Sequence, residues 1–290
     1  MKFGKVDDPG NIDFTLPKDH PQTKEILSKQ QPKTLNEVYI GCAKWNKTDL
    51  KNFYPRGTKD ELEYYSTQFN SIELNATFYR MWGKDQYEKW REKSVEDFKF
   101  FPKVPQLISH RKRLLDSEEL VTDYTANLTG LKDKLGMAFL QMPENFHPKN
   151  IDRLPDFFEK WPKEIPLAFE PRHEDWFIDK TIADELNQIL VKNNITHLIT
   201  DSAGRRDMLH MRLTTETAFI RYNGANHKSD YTRLDDWIDR IEDWYNQGLK
   251  NLYFFVHQNL EKESPLLSAH FIKKMNERFG LSLKIPETLD

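Results

Sequence analysis

From residue 38 onward the sequence alternates short apolar runs with amphipathic stretches, and this alternation restricts the fold more than any other feature. Eight such runs lie at 38–42, 71–75, 98–103, 137–141, 167–170, 196–201, 218–222 and 251–257. Between most of them apolar residues recur at helical spacing. Leu62, Tyr65 and Phe69 do so in 59–69, and Ile182, Leu186, Ile189 and Leu190 in 180–193. Leu234, Trp237, Ile238, Ile241, Trp244 and Tyr245 do so behind a Thr232 cap. Further helices are expected over 84–93, from a cap near Ser117, and over 150–161. The segment between the sixth and seventh runs has the weakest helical pattern. Strands apolar on both faces and separated by helices build parallel sheets. Eight βα units in about 250 residues predict a single-domain α/β fold of the TIM-type (β/α)8 barrel. An open doubly wound sheet would place a Gly-rich turn after its first strand, and here that turn reads Gly41-Cys42-Ala43-Lys44-Trp45, with one glycine.

Residues 1–36 read differently. Asp8-Pro9-Gly10, Leu16-Pro17 and Gln31-Pro32 predict an extended N-terminal arm with one short helix over 23–28, packed on a barrel domain spanning 37–290. The formal net charge of -3 gives no sequence-wide attraction to nucleic acid or anionic membrane. The single cysteine, Cys42, excludes an intramolecular disulfide and a Cys-based zinc cluster and fits a reducing compartment, so a cytoplasmic protein is expected. Neither a signal peptide nor a membrane span is expected.

Strand parity places the candidate site. Residues two apart share a face. With Ile72 and Leu74 toward the helices, Ser71, Glu73 and Asn75 point inward. With Leu167 and Phe169 outward, Ala168, Glu170 and Arg172 point inward. With Ile220 and Tyr222 outward, Phe219, Arg221 and Asn223 point inward. Lys103, Gln141, Asp201 and His257 stand at four other strand exits. Polar groups therefore gather at the C-terminal ends of the strands, where barrel enzymes build their sites. One such group is ordinarily a structural ion pair, but many in one mouth are costly to bury for stability alone.

Glu73, Glu170 and Asp201 supply three negative charges against Lys103, Arg172 and Arg221, so the mouth balances without a metal or another cofactor. Glu170 and Glu73 are the candidate acid and base. Arg172, Arg221 and Lys103 suit a carboxylate or phosphate, with Asn75, Gln141 and Asp201 as further polar contacts. Lys103 also has the chemistry for a Schiff base, although beside carboxylates it is more often an ion-pair partner. Trp45, Tyr79, His173 and Trp176, with Phe78 and Trp82, lie in loops whose aromatics either wall a ligand cleft or pack the loops together. His110-Arg111-Lys112-Arg113 reads first as a solvated helix entry and next as a phosphate-binding run, and Cys42 as a small core residue.

Ser71-Ile72-Glu73-Leu74-Asn75-Ala76-Thr77-Phe78-Tyr79-Arg80, Phe101-Pro102-Lys103-Val104-Pro105, Lys134-Leu135-Gly136, Leu140-Gln141-Met142-Pro143 and Phe169-Glu170-Pro171-Arg172-His173 with Trp176 form a specific set. Through it the chain resembles the YecE-like family, domain of unknown function 72, from about Tyr39 to Gly280. The resemblance implies a TIM-type barrel, a cytoplasmic setting and no assigned reaction. Its recurring polar positions fall on Glu73, Asn75, Lys103, Gln141, Glu170, Arg172 and Arg221. The first turn keeps only Gly41 and Trp45 of the family's usual G-T-S-G-W, and Asn223 stands where a histidine is usual.

The functional expectation is an enzyme using acid/base chemistry on a small anionic or sugar-like metabolite, with no membrane or nucleic-acid partner. One alternative is a divalent-metal isomerase or phosphoesterase built on Glu73, Glu170, Asp201 and His257. The other is a non-catalytic binder of nucleic acid or protein.

Overall fold

The computed structural model describes residues 4–28 and 34–288. Its strands are β1 Glu37–Cys42, β2 Ser71–Leu74, β3 Lys99–Pro102, β4 Ala138–Gln141, β5 Leu167–Glu170, β6 Thr196–His197, β7 Ile199–Ser202, β8 Thr217–Gly224 and β9 Asn251–Gln258. Its α-helices are α1 Pro21–Leu27, α2 Glu61–Gln68, α3 Ala76–Tyr79, α4 Lys84–Lys93, α5 Glu118–Leu128, α6 Arg153–Lys160, α7 Asp175–Ile178, α8 Lys180–Lys192, α9 Ser229–Gln247 and α10 Ser264–Phe279.

Every strand pair is parallel. The strands run β3-β2-β1-β9-β8-β7 in one sheet and β4-β5-β6 in another, so the expected α/β architecture holds but the pairing gives two sheets and no closed ring. The sixth apolar run is interrupted at Leu198, whose two flanks become β6 and β7 in different sheets. On the other side, single bridges join Phe100 to Leu135 and Lys103 to Phe139.

The alternation read from the sequence is realised on both faces. Ile40, Ile72, Leu74, Leu167, Phe169, Ile220, Tyr222 and Phe254 belong to the large cluster shared with the helices. Phe101, Met137, Phe139, Ala168, Leu198, Phe219, Tyr253 and Phe255 form a second, smaller cluster on the opposite strand faces. Where β1 and β2 pair briefly, side chains extend the ladder. Asn70 accepts from the Ile40 N–H at 3.0 Å and donates to the Val38 carbonyl at 2.7 Å. Gly41 must lack a side chain here, because a Cβ would lie 2.2 Å from the Ser71 carbonyl oxygen.

Helix ends follow local chemistry. Asp60 accepts from the Leu62 and Glu63 N–H groups to start α2, and Asp179 does the same for α8 through Thr181 and Ile182. Ser117 stands at the expected N-cap position of α5, without a side-chain capping hydrogen bond, whereas the expected Thr232 cap lies inside α9, which begins at Ser229. The apolar stripe of α9 is as expected, with Leu234, Trp237, Ile238, Ile241 and Trp244 buried. Helix α10, absent from the sequence reading, covers β1 and β9 through Leu267, Phe271, Ile272 and Met275. The weak unit after β7 contains a single 3-10 turn, Arg206–Met208.

The arm contributes α1 and a segment that lies on α9. Phe14 sits 4.2 Å from the Arg233 guanidinium, and Asp19 accepts from Arg240 at 2.7 Å and from the Trp244 indole at 2.9 Å. Part of the expected arm, 1–3 and 29–33, lies outside the described residues. Among the described residues no helix is long and apolar enough to cross a membrane.

Candidate active site

The charged residues on the small-cluster face converge just beyond its apolar side chains. Arg221, from β8, is the hub. Its Nε donates to Glu73 Oε2 at 2.8 Å and its Nη2 to Glu73 Oε1 at 2.9 Å, the two-pronged geometry that a planar guanidinium suits. Its Nη1 donates to Glu170 Oε2 at 3.1 Å. Both carboxylates are fully buried. Glu73 also accepts from the Asn75 amide at 2.8 Å and lies 2.9 Å from His257 Nε2. Glu170 accepts from Gln141 Nε2 at 2.6 Å, Thr200 Oγ1 at 2.9 Å and Arg172 Nε at 3.2 Å.

These partners decide the ionisation. Burial pushes Glu73 upward, but the charges of Arg221 and His257 overcome it and hold the carboxyl well below its usual range. Glu170 is held down to about 2, its burial outweighed by Arg172 and Arg221. Arg221 is itself held protonated above its ordinary value, because both glutamates outweigh its burial. The expected acid and base are therefore a pair of permanently ionised carboxylates, each with its oxygens engaged. Neither has a proton to give near neutrality, and Arg221 is committed to them and not to an external anion.

Lys103 is different. It follows β3, is buried, and its Nζ donates to Gln141 Oε1 at 2.6 Å. The ring of Phe78 lies 4.1 Å from Nζ. Among the described residues no carboxylate lies within ion-pair distance of it. Burial first, then the charges of Arg221 and Arg172, lower its pKa to about 7. The backbone under it is held fast, since the Thr77 hydroxyl and Tyr124 hydroxyl donate to the Lys103 carbonyl at 2.7 and 3.2 Å.

The expected charge balance fails at Asp201. Leu198 points into the small cluster, so Thr200 shares its face and Asp201 takes the other. There Asp201 pairs with Arg206, accepts from Arg233 at 2.8 Å and from the Trp237 indole at 2.8 Å. It belongs to the packing of β7 against α9. Removing it leaves Glu73 and Glu170 against Arg221 and Arg172, already neutral, and a protonated Lys103 is in excess. After burial, this excess of positive charge is the second cause that lowers the pKa of the amine.

Other expected site residues are dispersed. Trp176 is buried, stacked 6.0 Å from Phe146, with its indole N–H donated to the Phe146 carbonyl at 2.8 Å, so it packs a loop and presents nothing to a ligand. Trp45 packs edge-on against Trp90 at 6.1 Å on the helix-side core. His173 lies 4.5 Å from the His147 ring and has its contacts there and with Asp175. Tyr79 is exposed beside Phe78, and Asn223 is half-buried opposite His257 in the β8–β9 register.

The metal set Glu73, Glu170, Asp201 and His257 is not assembled, because Asp201 faces away and the Arg221 guanidinium already fills the space between the glutamates. Among the described residues, His147, His173 and Asp175 are the one trio with ligand atoms within 4.8 Å of one another. In both rings Nδ1 accepts a backbone N–H, from Lys149 and from Asp175, which places the ring proton on Nε2. His147 Nε2 lies 2.8 Å from Asp175 Oδ2, so the trio is a hydrogen-bonded cluster with its outward nitrogens protonated.

Thr200 and His110 escaped the sequence reading. Counting two residues on from Leu198 would have found Thr200. His110 lies in a π-type turn, Leu107–Lys112, half-buried and 4.8 Å edge-on to Phe78, and not in a solvated helix entry. Burial, with the charges of Lys103 and Arg172, lowers its pKa to about 4, so it stands neutral at this site.

The family model described as protein of unknown function DUF72 matches residues 39–289. The chain is 27% identical over 252 residues to the UPF0759 protein YecE of Escherichia coli, covering 79% of this chain and 89% of that one. It is 32% identical over 244 residues to the UPF0759 protein YunF of Bacillus subtilis, covering 77% and 80%. Among solved structures, a DUF72 family protein from Thermotoga maritima aligns with a TM-score of 0.67 at 24% identity, over 83% of this chain and 99% of that one. One from Enterococcus faecalis aligns with a TM-score of 0.66 at 16% identity, over 85% and 99%.

Proposed function

We propose that this chain, which belongs to the YecE-like DUF72 family, is an enzyme that moves a proton on a small anionic or sugar-like metabolite, with Lys103 as the base. The observation that carries the reading is a buried amine whose hydrogen-bond partner is a neutral amide and which, among the described residues, has no carboxylate in ion-pair reach. A base works best when its pKa lies near the operating pH, and Lys103 is lowered to about 7. Gln141 orients the amine while its other end is fixed by Glu170. Glu73, Glu170 and Arg221 form the buried charged floor, and Arg172 and His257 are its half-buried members. When Lys103 takes a proton the cluster acquires one positive charge in excess, which an anionic substrate would neutralise.

The scaffold we propose for this site is a single (β/α)8 barrel. Its support is the continuity of β6 and β7 through Leu198, the bridges of Phe100 to Leu135 and of Lys103 to Phe139, and the separate apolar cluster on the strand faces turned from the helices. Lys103 lies on the second of those bridges.

The test is solvent-deuterium exchange into a panel of phosphorylated sugars, aldonic acids and 2-oxo acids, followed by mass spectrometry. Exchange or conversion with the wild type, lost in Lys103→Met, is expected. No exchange across the panel, or full activity in a folded Lys103→Met protein, would overturn the reading.

A further inference from the structure

We infer that Lys103 reacts as a nucleophile, forming an imine with a small carbonyl compound that carries a carboxylate or phosphate. The inference rests on the acid/base reading of the same site and goes further by naming the bond formed and the class of compound. Three observations support it beyond proton transfer. The amine is held at a fixed place, because its backbone N–H donates to the Leu74 carbonyl at 3.2 Å and its own carbonyl is held by Thr77 and Tyr124. Nζ lies over the Phe78 ring at 4.1 Å and 6.0 Å from the Phe139 ring, π faces that attract the positive charge of an iminium and screen it from water. The charges complete the case. Glu73 and Glu170 are matched by Arg221 and Arg172, so neither of these carboxylates is left over to balance the positive charge of an iminium. A substrate with one anionic group brings that counter-ion, whereas a neutral carbonyl compound does not.

The step balances without an oxidant or reductant. The neutral Nζ lone pair attacks the carbonyl carbon, nitrogen gives up one proton as the carbonyl oxygen takes one, and a carbinolamine forms. That hydroxyl then leaves as water after a second proton reaches it, giving the iminium. In net terms the amine, the carbonyl and one proton yield the iminium and one water. Water supplies and takes up these protons, and the neutral imidazole of His110 lies edge-on to the same Phe78 ring.

The test is reductive trapping. The full chain is incubated separately with pyruvate, glyoxylate and glycolaldehyde phosphate at about pH 7.5, treated with sodium borohydride, and peptide-mapped, with acetone as the uncharged control. A lysine lowered as Lys103 is has a free-amine fraction roughly 600-fold above that of a surface lysine at this pH. The expected result is an adduct concentrated on Lys103 with at least one anionic carbonyl, weaker with acetone, and missing from folded Lys103→Met and Lys103→Arg proteins. Labelling of Lys103 no greater than that of exposed lysines with all three probes would overturn the imine. If deuterium exchange persists in that case, proton transfer by Lys103 stands without it. If exchange is also lacking, both readings fall.

Discussion

Lys103 Nζ lies 2.6 Å from Gln141 Oε1, and the other end of that amide donates to Glu170 at 2.6 Å. A buried amine and a buried carboxylate are thus separated by a neutral group that satisfies both. Direct contact would have made an ion pair and kept the amine charged. The intervening amide gives a deprotonatable lysine beside a carboxylate that cannot be protonated near neutrality.

Removing the hub should be costly. In Arg221→Met, Glu73 and Glu170 lose their shared cation while remaining buried, and stability at neutral pH should fall by about 3–5 kcal/mol. Both glutamates sit below their unfolded values, so in the wild type their contribution is complete above about pH 4.5 and is lost as the pH falls toward 2. Urea denaturation from pH 6 to 3 should show a shallower acid loss in the variant than in the wild type.

Trp176 separates packing from binding. Trp176→Phe keeps the stack on Phe146 and removes the indole donor from the Phe146 carbonyl, so a loss of about 1–3 kcal/mol is expected. Any turnover or trapping at Lys103 should be unchanged in protein that remains folded.

Much of this site was legible from alternation. Counting two residues from apolar neighbours places Glu73, Asn75, Glu170, Arg172 and Arg221, and they come together because that count is geometric. Lys103 and Gln141 join them from strand exits, whereas Asp201, also at a strand exit, faces away because it is out of phase with Leu198. What counting could not supply is pairing. No local pattern says that Arg221 will span Glu73 and Glu170, or that Asp201 will be satisfied by Arg206 and Arg233. The π-type turn that carries His110 and the two short helices α3 and α7 also lack a periodic signature.

A buried histidine pair predicts acid sensitivity of another kind. His197 and His210 stack 3.7 Å apart. His210 Nδ1 accepts the Arg212 N–H, and its Nε2 faces the Leu198 carbonyl at 3.1 Å, an arrangement for a neutral ring. Burial lowers both pKa values, that of His210 to about 4. The unfolded chain therefore binds protons first, and stability should decline as the pH falls below about 6.5. His210→Phe should flatten the decline between pH 7 and 5 in thermal melts, and an unchanged slope would contradict the assignment.

Lys103 predicts the opposite window. Its native pKa of about 7 lies below the unfolded value, so the unfolded state holds the extra proton between these limits and stability should rise with pH across them. Lys103→Met should be more stable than the wild type at pH 6, with the difference shrinking as the pH approaches 10. A constant difference over that range would mean that the amine does not change its charge on folding.

The most direct measurement is the ionisation of Lys103 itself, followed by NMR of the lysine side-chain carbons in labelled protein, with Lys103→Arg to assign the signal. The account predicts a midpoint near 7. A midpoint near the ordinary lysine value of about 10.4 would show a permanently charged amine and contradict both the base and the nucleophile assigned to it.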